Sequence, residues 1–548
     1  MSLLTASRPL VVLLTLASPG PAASQRLPET PSFFVENVGQ VNRSNVRLVG
    51  DSPHHTELLS NTGLEVQQGA RSLVIQFKGT ATTSHVSPAE PLGAMVSYIQ
   101  GQDPSKWLIR YPAFGSAHYT DMWPEIDVTI SSGGTRLALV YHVADIRQLD
   151  RIRVAMSTGV TVGRLGDLRV SQASGTYSLG RPVVRRHGET GDTGVFGRFV
   201  KLSRGDIGIE TTARLEGNFD VTQYLTEEVS GETAPKSEFV PVGNLRGNLE
   251  VTVEQRLRPR TTSGVQAGSA VQSFIAAFSS ESKQFVGGLY FGGSGTDRIL
   301  SVETDSDDKI YIGGDTDSND FPLTGADLVP GEGRQPFVAR FSSMMDKLLF
   351  SQRVGRSGHG SVTAMALDTA NTALVIVGDT TASDLPVPRS AFQPGKRGIQ
   401  NLFVAKVDLA SNVVKVLTYF GGDGVEHGSS VVIDETGDIV IGGGTTSTEF
   451  PLLMGNTDHV FVPDGRGFVA RLNKDGRSLA FCTYLGSPQG ATHANRTAFV
   501  KRLQLIGNRV RIEAVDDGQD AMARSAPYFI DVDLRTGSVI QDAERSLP

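Results

Sequence analysis

The stretch IGGDTDSNDFP, residues 312–322, places acidic and amide side chains at Asp315, Asp317 and Asn319. Such one-three-five spacing opens the loop of a calcium-binding EF-hand. Recurrence gives it another meaning. VGDTTASDLP (residues 377–386) and GGGTTSTEFP (residues 442–451) repeat its succession of small residues, a Thr, an acid and a Pro. A calcium loop would keep its ligands in each copy or complete them in one. Here position six lacks the required Gly and position twelve is Ala326 instead of Glu. What persists is Thr316, Thr380 and Thr446 or its neighbour, then Asp320, Asp384 and Glu449, then Pro322, Pro386 and Pro451. Short polar side chains bond nearby backbone N–H groups, and Pro fixes the exit direction. The stretch reads as a structural corner. Asp315, Asp317, Asn319 and Asp320 remain the metal-ligating alternative, with a structural calcium as its ion.

Two further motifs keep the same period. LYFGGSG (residues 289–295) returns as QRVGRSG (352–358), TYFGGDG (418–424) and TYLGSPQ (483–489). A strand-like FVA element begins at Phe274, Phe337, Phe403, Phe468 and Phe529, in steps of 63, 66, 65 and 61 residues. Each period holds about four pieces, mostly of alternating polarity, separated by turn residues such as DSDDK and DETGD. Four antiparallel strands per tandem repeat are what a β-propeller blade requires. The FVA element occurs five times and the Gly-rich turn four, so the first blade lacks strands and the last copy is degraded. Either another segment, with LEVTVEQ (residues 249–255) the candidate, completes the first blade of a five-bladed ring, or the ring stays open.

These repeats resemble the SBBP family of bacterial β-propeller repeats. GGSGTD (292–297), DSDDKIYIGGDTDSNDFP (305–322) and FVARF (337–341) follow its pattern closely, and the copy at 421–451 is also good. The copy from Gly355 is worn, with Arg356 and His359 read where Gly and Asp are expected. FFVENVGQ (33–40), VSYIQGQDPSKW (96–107) and YTDMWPEIDVTI (119–130) are similar to a domain of unknown function that precedes such repeats in secreted bacterial proteins. The resemblance implies architecture and export. It brings no catalytic residue and no ligand.

The expected fold is all-β: an N-terminal β-sandwich-like region of one or two units, then a propeller of about five blades. The division follows composition: 33–155 and 156–255 as two β-rich domains, 256–271 as an Arg-, Thr- and Gly-rich linker, and 272–548 as the propeller. Residues 1–24 read as a signal peptide. Arg8 precedes an apolar run at 10–17, and Ala22-Ala23-Ser24 offers a cleavage site. That run is well short of the ~20 residues that span a bilayer, and no later segment is long and apolar enough. Secretion, the periplasm or the cell surface is the expected location.

Net charge of −7 argues against a nucleic-acid partner. The single cysteine, Cys482, sits in a strand-like run and reads as a buried thiol. The His54-His55 pair has no third ligand at zinc spacing. Asp121, Glu125 and Asp127 read as a turn beside a strand, and Trp107 and Trp123 as core anchors. His359 and His427 stand beside glycines in two blades and are the candidates for facing one end of the channel. No nucleophile elbow, phosphate-binding loop, dinucleotide fingerprint or HExxH motif is present. The expected function is an exported, non-catalytic binding or scaffold protein whose ligand is a polysaccharide or protein. The alternatives are a glycan hydrolase or lyase with carboxylates at the channel mouth, and a calcium-stabilised adhesion protein.

Overall fold

The computed structural model describes residues 32–540, except 54, 69–70, 134–135, 157–158, 173–174, 188–193, 212–216, 229–241, 246–247, 258–270, 326–332, 356, 454–465, 486–497 and 517–527. The expected signal peptide lies outside the described residues. The fold is all-β, with a sandwich-like N-terminal region followed by five propeller blades.

Alternation builds the N-terminal region. Leu137, Leu139, Tyr141 and Val143 point inwards from Arg136–Val143, and Phe219, Val221 and Leu225 join them from the antiparallel neighbour Phe219–Glu228. Phe77, Tyr119 and Trp123 meet edge-on in the same core, with ring centroids 5.4 and 5.7 Å from Phe77. Strand Val154–Met156 pairs with Arg71–Phe77 on one side and Ile207–Glu210 on the other. Residues before and after position 155 therefore share one sheet and one core. The expected division at 155/156 is corrected to a single unit, because a strand at the boundary is stitched into its predecessors.

Of the expected linker at 256–271, residues 258–270 lie outside the described residues. Leu249–Leu257 pairs antiparallel with Val271–Ser279 in continuous register, from Leu249 opposite Ser279 to Leu257 opposite Val271. Phe285–Gly292 continues this first blade, and its outer edge takes residues 95–100 of the long strand His85–Gln100, in parallel. The N-terminal region thus supplies a strand to the propeller.

The second blade runs Asp297–Thr304, Ile310–Thr316, Gln335–Phe341 and Leu348–Arg353, with Val242–Leu245 added in parallel at its inner edge. The third runs from Gly360–Leu367 to Val413–Phe420 and the fourth from Glu426–Ile433 to Leu479–Tyr484. The fifth runs from Ala498–Ile506 to Val539–Ile540. Central strands such as Ala373–Thr380 are buried along their whole length because both faces are covered. Val375 and Val377 pack towards the fourth blade, while Leu374 and Ile376 pack towards the second.

The two ends of this array differ from its middle. On the first blade, Ile275, Ala277, Leu289 and Phe291 face the second blade. Phe274, Ala276, Phe278 and Tyr290, on its other face, pack against Phe33, Val35, Val96 and Tyr98 of the N-terminal region. On the fifth blade, Val510, Ile512 and Val532 face the fourth. Its far face carries Arg509 and Arg511, both paired with Asp531. That face also carries Phe529, which is 62% exposed.

Candidate functional site

The recurring motif is a lock around a buried carboxylate. In the second blade, Asp297 accepts hydrogen bonds from the Thr316 hydroxyl, from Ser318 Oγ at 2.9 and 3.0 Å, and from the Gly293 N–H at 2.8 Å. In the fourth, Glu426 accepts from the Thr445 and Ser447 hydroxyls, from the Gly422 N–H at 3.2 Å and from Asn401 Nδ2 at 2.7 Å. Gly292 and Gly421 precede these turns with φ of +150° and +154°. A Cβ there would lie 2.3 and 2.1 Å from the carboxylate oxygens, which is why glycine is needed. The third blade has Gly360 in place of the acid and Ala382 in place of the serine, as the strand register shows. Both partners are gone together.

This register corrects the sequence alignment at one point and completes it at two. The acid position of the worn copy is Gly360, not His359. Thr445 is the equivalent of Thr316 and Thr380. Thr446 takes the place of Asp317, since each accepts from the turn N–H of its own blade: Val425 to Thr446 Oγ1, Thr296 to Asp317 Oδ1.

The four residues of the calcium alternative each serve a different neighbour. Asp315 is fully buried and takes a two-pronged bond from Arg298, Nε at 3.1 and Nη2 at 2.7 Å, together with the Ser361 hydroxyl of the next blade at 3.0 Å. Asp317 accepts from the Thr296 N–H, and Asp320 from the N–H and hydroxyl of Ser294. Asn319 offers its backbone carbonyl to Gln102 Nε2 at 3.5 Å.

These partnerships frame a polar cleft of about 790 Å³ between the second and third blades, at the end where their inner strands begin. Arg298, Asp317, Asn319 and Arg334 line it from the second blade. His359, Ser361, Asp379 and Gln400 line it from the third. His359 Nδ1 accepts from the Arg334 N–H at 3.2 Å, and Arg334 Nε lies 3.3 Å from Asp315. His427 does not line the cleft but touches it from behind. Its Nδ1 bonds Asp379, which also accepts the Gly428 N–H at 3.1 Å. The Asp379 carboxylate holds His427 protonated to a higher pH than a free imidazole. The two histidines thus lie at one end of neighbouring blades but at different register positions, His427 matching Arg298 and Ser361.

The cleft can meet a ligand with guanidinium and amide donors on one side and carboxylate and amide acceptors on the other. Arg334 and Gln400 were not legible as site residues, for no repeated motif marks them. Asp315 and Asp379 do share a repeat position, which Gly444 vacates in the fourth blade. Elsewhere, Trp123 is core and its Nε1 donates to the Lys78 carbonyl at 2.8 Å. Trp107 donates to the Gly101 carbonyl and packs on the core between the first two blades. Asp127 accepts from the Asp121 N–H in a turn. Cys482 is buried, which pushes its thiol far above the usual range.

Residues 34–222 match the family model described as a domain of unknown function, DUF7948. No curated protein matches the chain. Similar solved structures include the hydrazine synthase of Kuenenia stuttgartiensis, 11% identical over 53% of this chain and 80% of that one, with a TM-score of 0.29. BamB from Moraxella catarrhalis is 12% identical over 53% of this chain and 86% of that one, at 0.21. The endosialidase of phage phi92 is 10% identical over 95% and 88%, at 0.25.

Proposed function

We propose that this is an exported binding and scaffold protein of the cell envelope or extracellular space, built from SBBP-type repeats, and that it holds a polysaccharide in the cleft between the second and third blades. The observation that carries this is the cleft's lining: side chains able to donate and accept, on rigid strand ends, with their charges already partnered. Asp315 is tied to Arg298, Asp379 to His427 and Asp317 to a backbone N–H. Carboxylates so engaged suit recognition of hydroxyl groups better than proton transfer, which favours binding over the hydrolase or lyase reading. The correspondence of Asp297, Thr316 and Ser318 with Glu426, Thr445 and Ser447 supports the repeat assignment.

The test is a glycan array probed with the mature chain, with calcium and with chelator, alongside Arg334→Ala. A glycan retained in chelator and lost by Arg334→Ala with an unchanged melting temperature is the expected result. Retention only with calcium would favour the adhesion reading at Asp317 and Asn319. Cleavage of an arrayed glycan would overturn the non-catalytic reading, and exclusive capture of a protein segment would replace the polysaccharide.

A further inference from the structure

The geometry points to a divalent transition-metal site on the outer face of the N-terminal sheet, formed by His142, His187 and Asp220. Their ligand atoms all lie within 4.8 Å of one another. His142 Nδ1 is 2.8 Å and His187 Nδ1 is 3.0 Å from the same oxygen, Asp220 Oδ1. Two imidazoles converging on one carboxylate oxygen give an N₂O donor set that suits zinc and its neighbours better than calcium or magnesium. Tetrahedral ligands bound at ~2.0–2.1 Å sit roughly 3.3 Å apart. The nitrogen–oxygen separations here are a few tenths of an ångström shorter and the two nitrogens lie within 4.8 Å of each other, so a cation would be seated by small shifts of the three side chains.

The scaffold fixes all three residues. His142 and Asp220 face each other directly across the pairing of Arg136–Val143 with Phe219–Glu228. His187 follows Val183–Arg186, which pairs on the other side of Phe219–Glu228, and its N–H bonds the Asn218 carbonyl at 2.9 Å. Behind His142 stands an orienting partner, the Thr129 hydroxyl, 2.8 Å from Nε2 and 3.1 Å from His118 Nδ1. A bond to the second ring nitrogen orients a ligating histidine. The His187 side chain is 63% exposed, which leaves the fourth position open to water or to a donor from a ligand. This site is separate from the interblade cleft and does not depend on the reading of that cleft.

The experiment is titration of the metal-free mature chain with zinc by calorimetry, and with cobalt(II) by absorption spectroscopy. One ion per chain is expected, with cobalt d–d bands that vanish in His187→Ala and Asp220→Asn. His187→Ala, a change at an exposed position, should weaken zinc on the order of 100-fold, and Thr129→Val, which removes only the orienting hydroxyl, about 10-fold. His85→Ala, an exposed histidine elsewhere on the same region, should bind as the parent does. No zinc uptake by the parent, or equal uptake by His187→Ala and Asp220→Asn with unchanged circular dichroism, would overturn the assignment.

Discussion

Asp297 is a carboxylate taken out of water and given back donors that include two hydroxyl groups and an N–H. A buried acceptor set is tolerated only when it is satisfied, and removing one member strands the others at about 1–3 kcal/mol each. Asp297→Ala and Ser318→Ala should therefore each destabilise, yet the double variant should cost less than their sum. The difference should fall in the range of about 0.5–3 kcal/mol, read from denaturant unfolding of the four proteins in the cycle. The third blade is the natural precedent, with Gly360 and Ala382 at these two positions. Strict additivity would mean that the lock is not one unit. The motif was visible in the sequence as recurring letters, but its chemistry was not. Without the strand register, His359 was placed one residue from the true acid position, Gly360, and the choice between Thr446 and its neighbour stayed open.

Blades join through alternating faces of their strands and through a few polar ties at the end where the inner strands begin. Ser361 reaches back to Asp315, and His427 reaches back to Asp379. The bond to Asp379 raises the His427 pKa in the folded state. A raised folded value stabilises fully below the unfolded histidine value of about 6.5, and the contribution disappears as pH rises through the folded value. The melting-temperature gap between the parent and His427→Gln should accordingly be widest below about pH 6.5 and narrow as pH rises above it. A gap independent of pH would show that the proton plays no part. Sequence alone gave the blades because period-two patterning and turn residues act locally. It did not give the metal site proposed above, since His142, His187 and Asp220 are brought together by long-range pairing that no spacing announces.

At the scale of the whole molecule, the N-terminal region and the propeller share an apolar interface. Phe33, fully buried, lies with ring centroids 5.6 Å from Phe274 and 5.8 Å from Phe285. Tyr98 stacks on Tyr290 at 5.1 Å. Phe33→Ala should cost about 3–5 kcal/mol. Calorimetry should show one cooperative transition for the parent, with both regions losing stability in the variant. Two resolved transitions, only one of them shifted, would mean the regions fold independently. The cover over the first blade has a consequence for dissection: cut away from the N-terminal region, the propeller would bare Phe274, Ala276, Phe278 and Tyr290 to water.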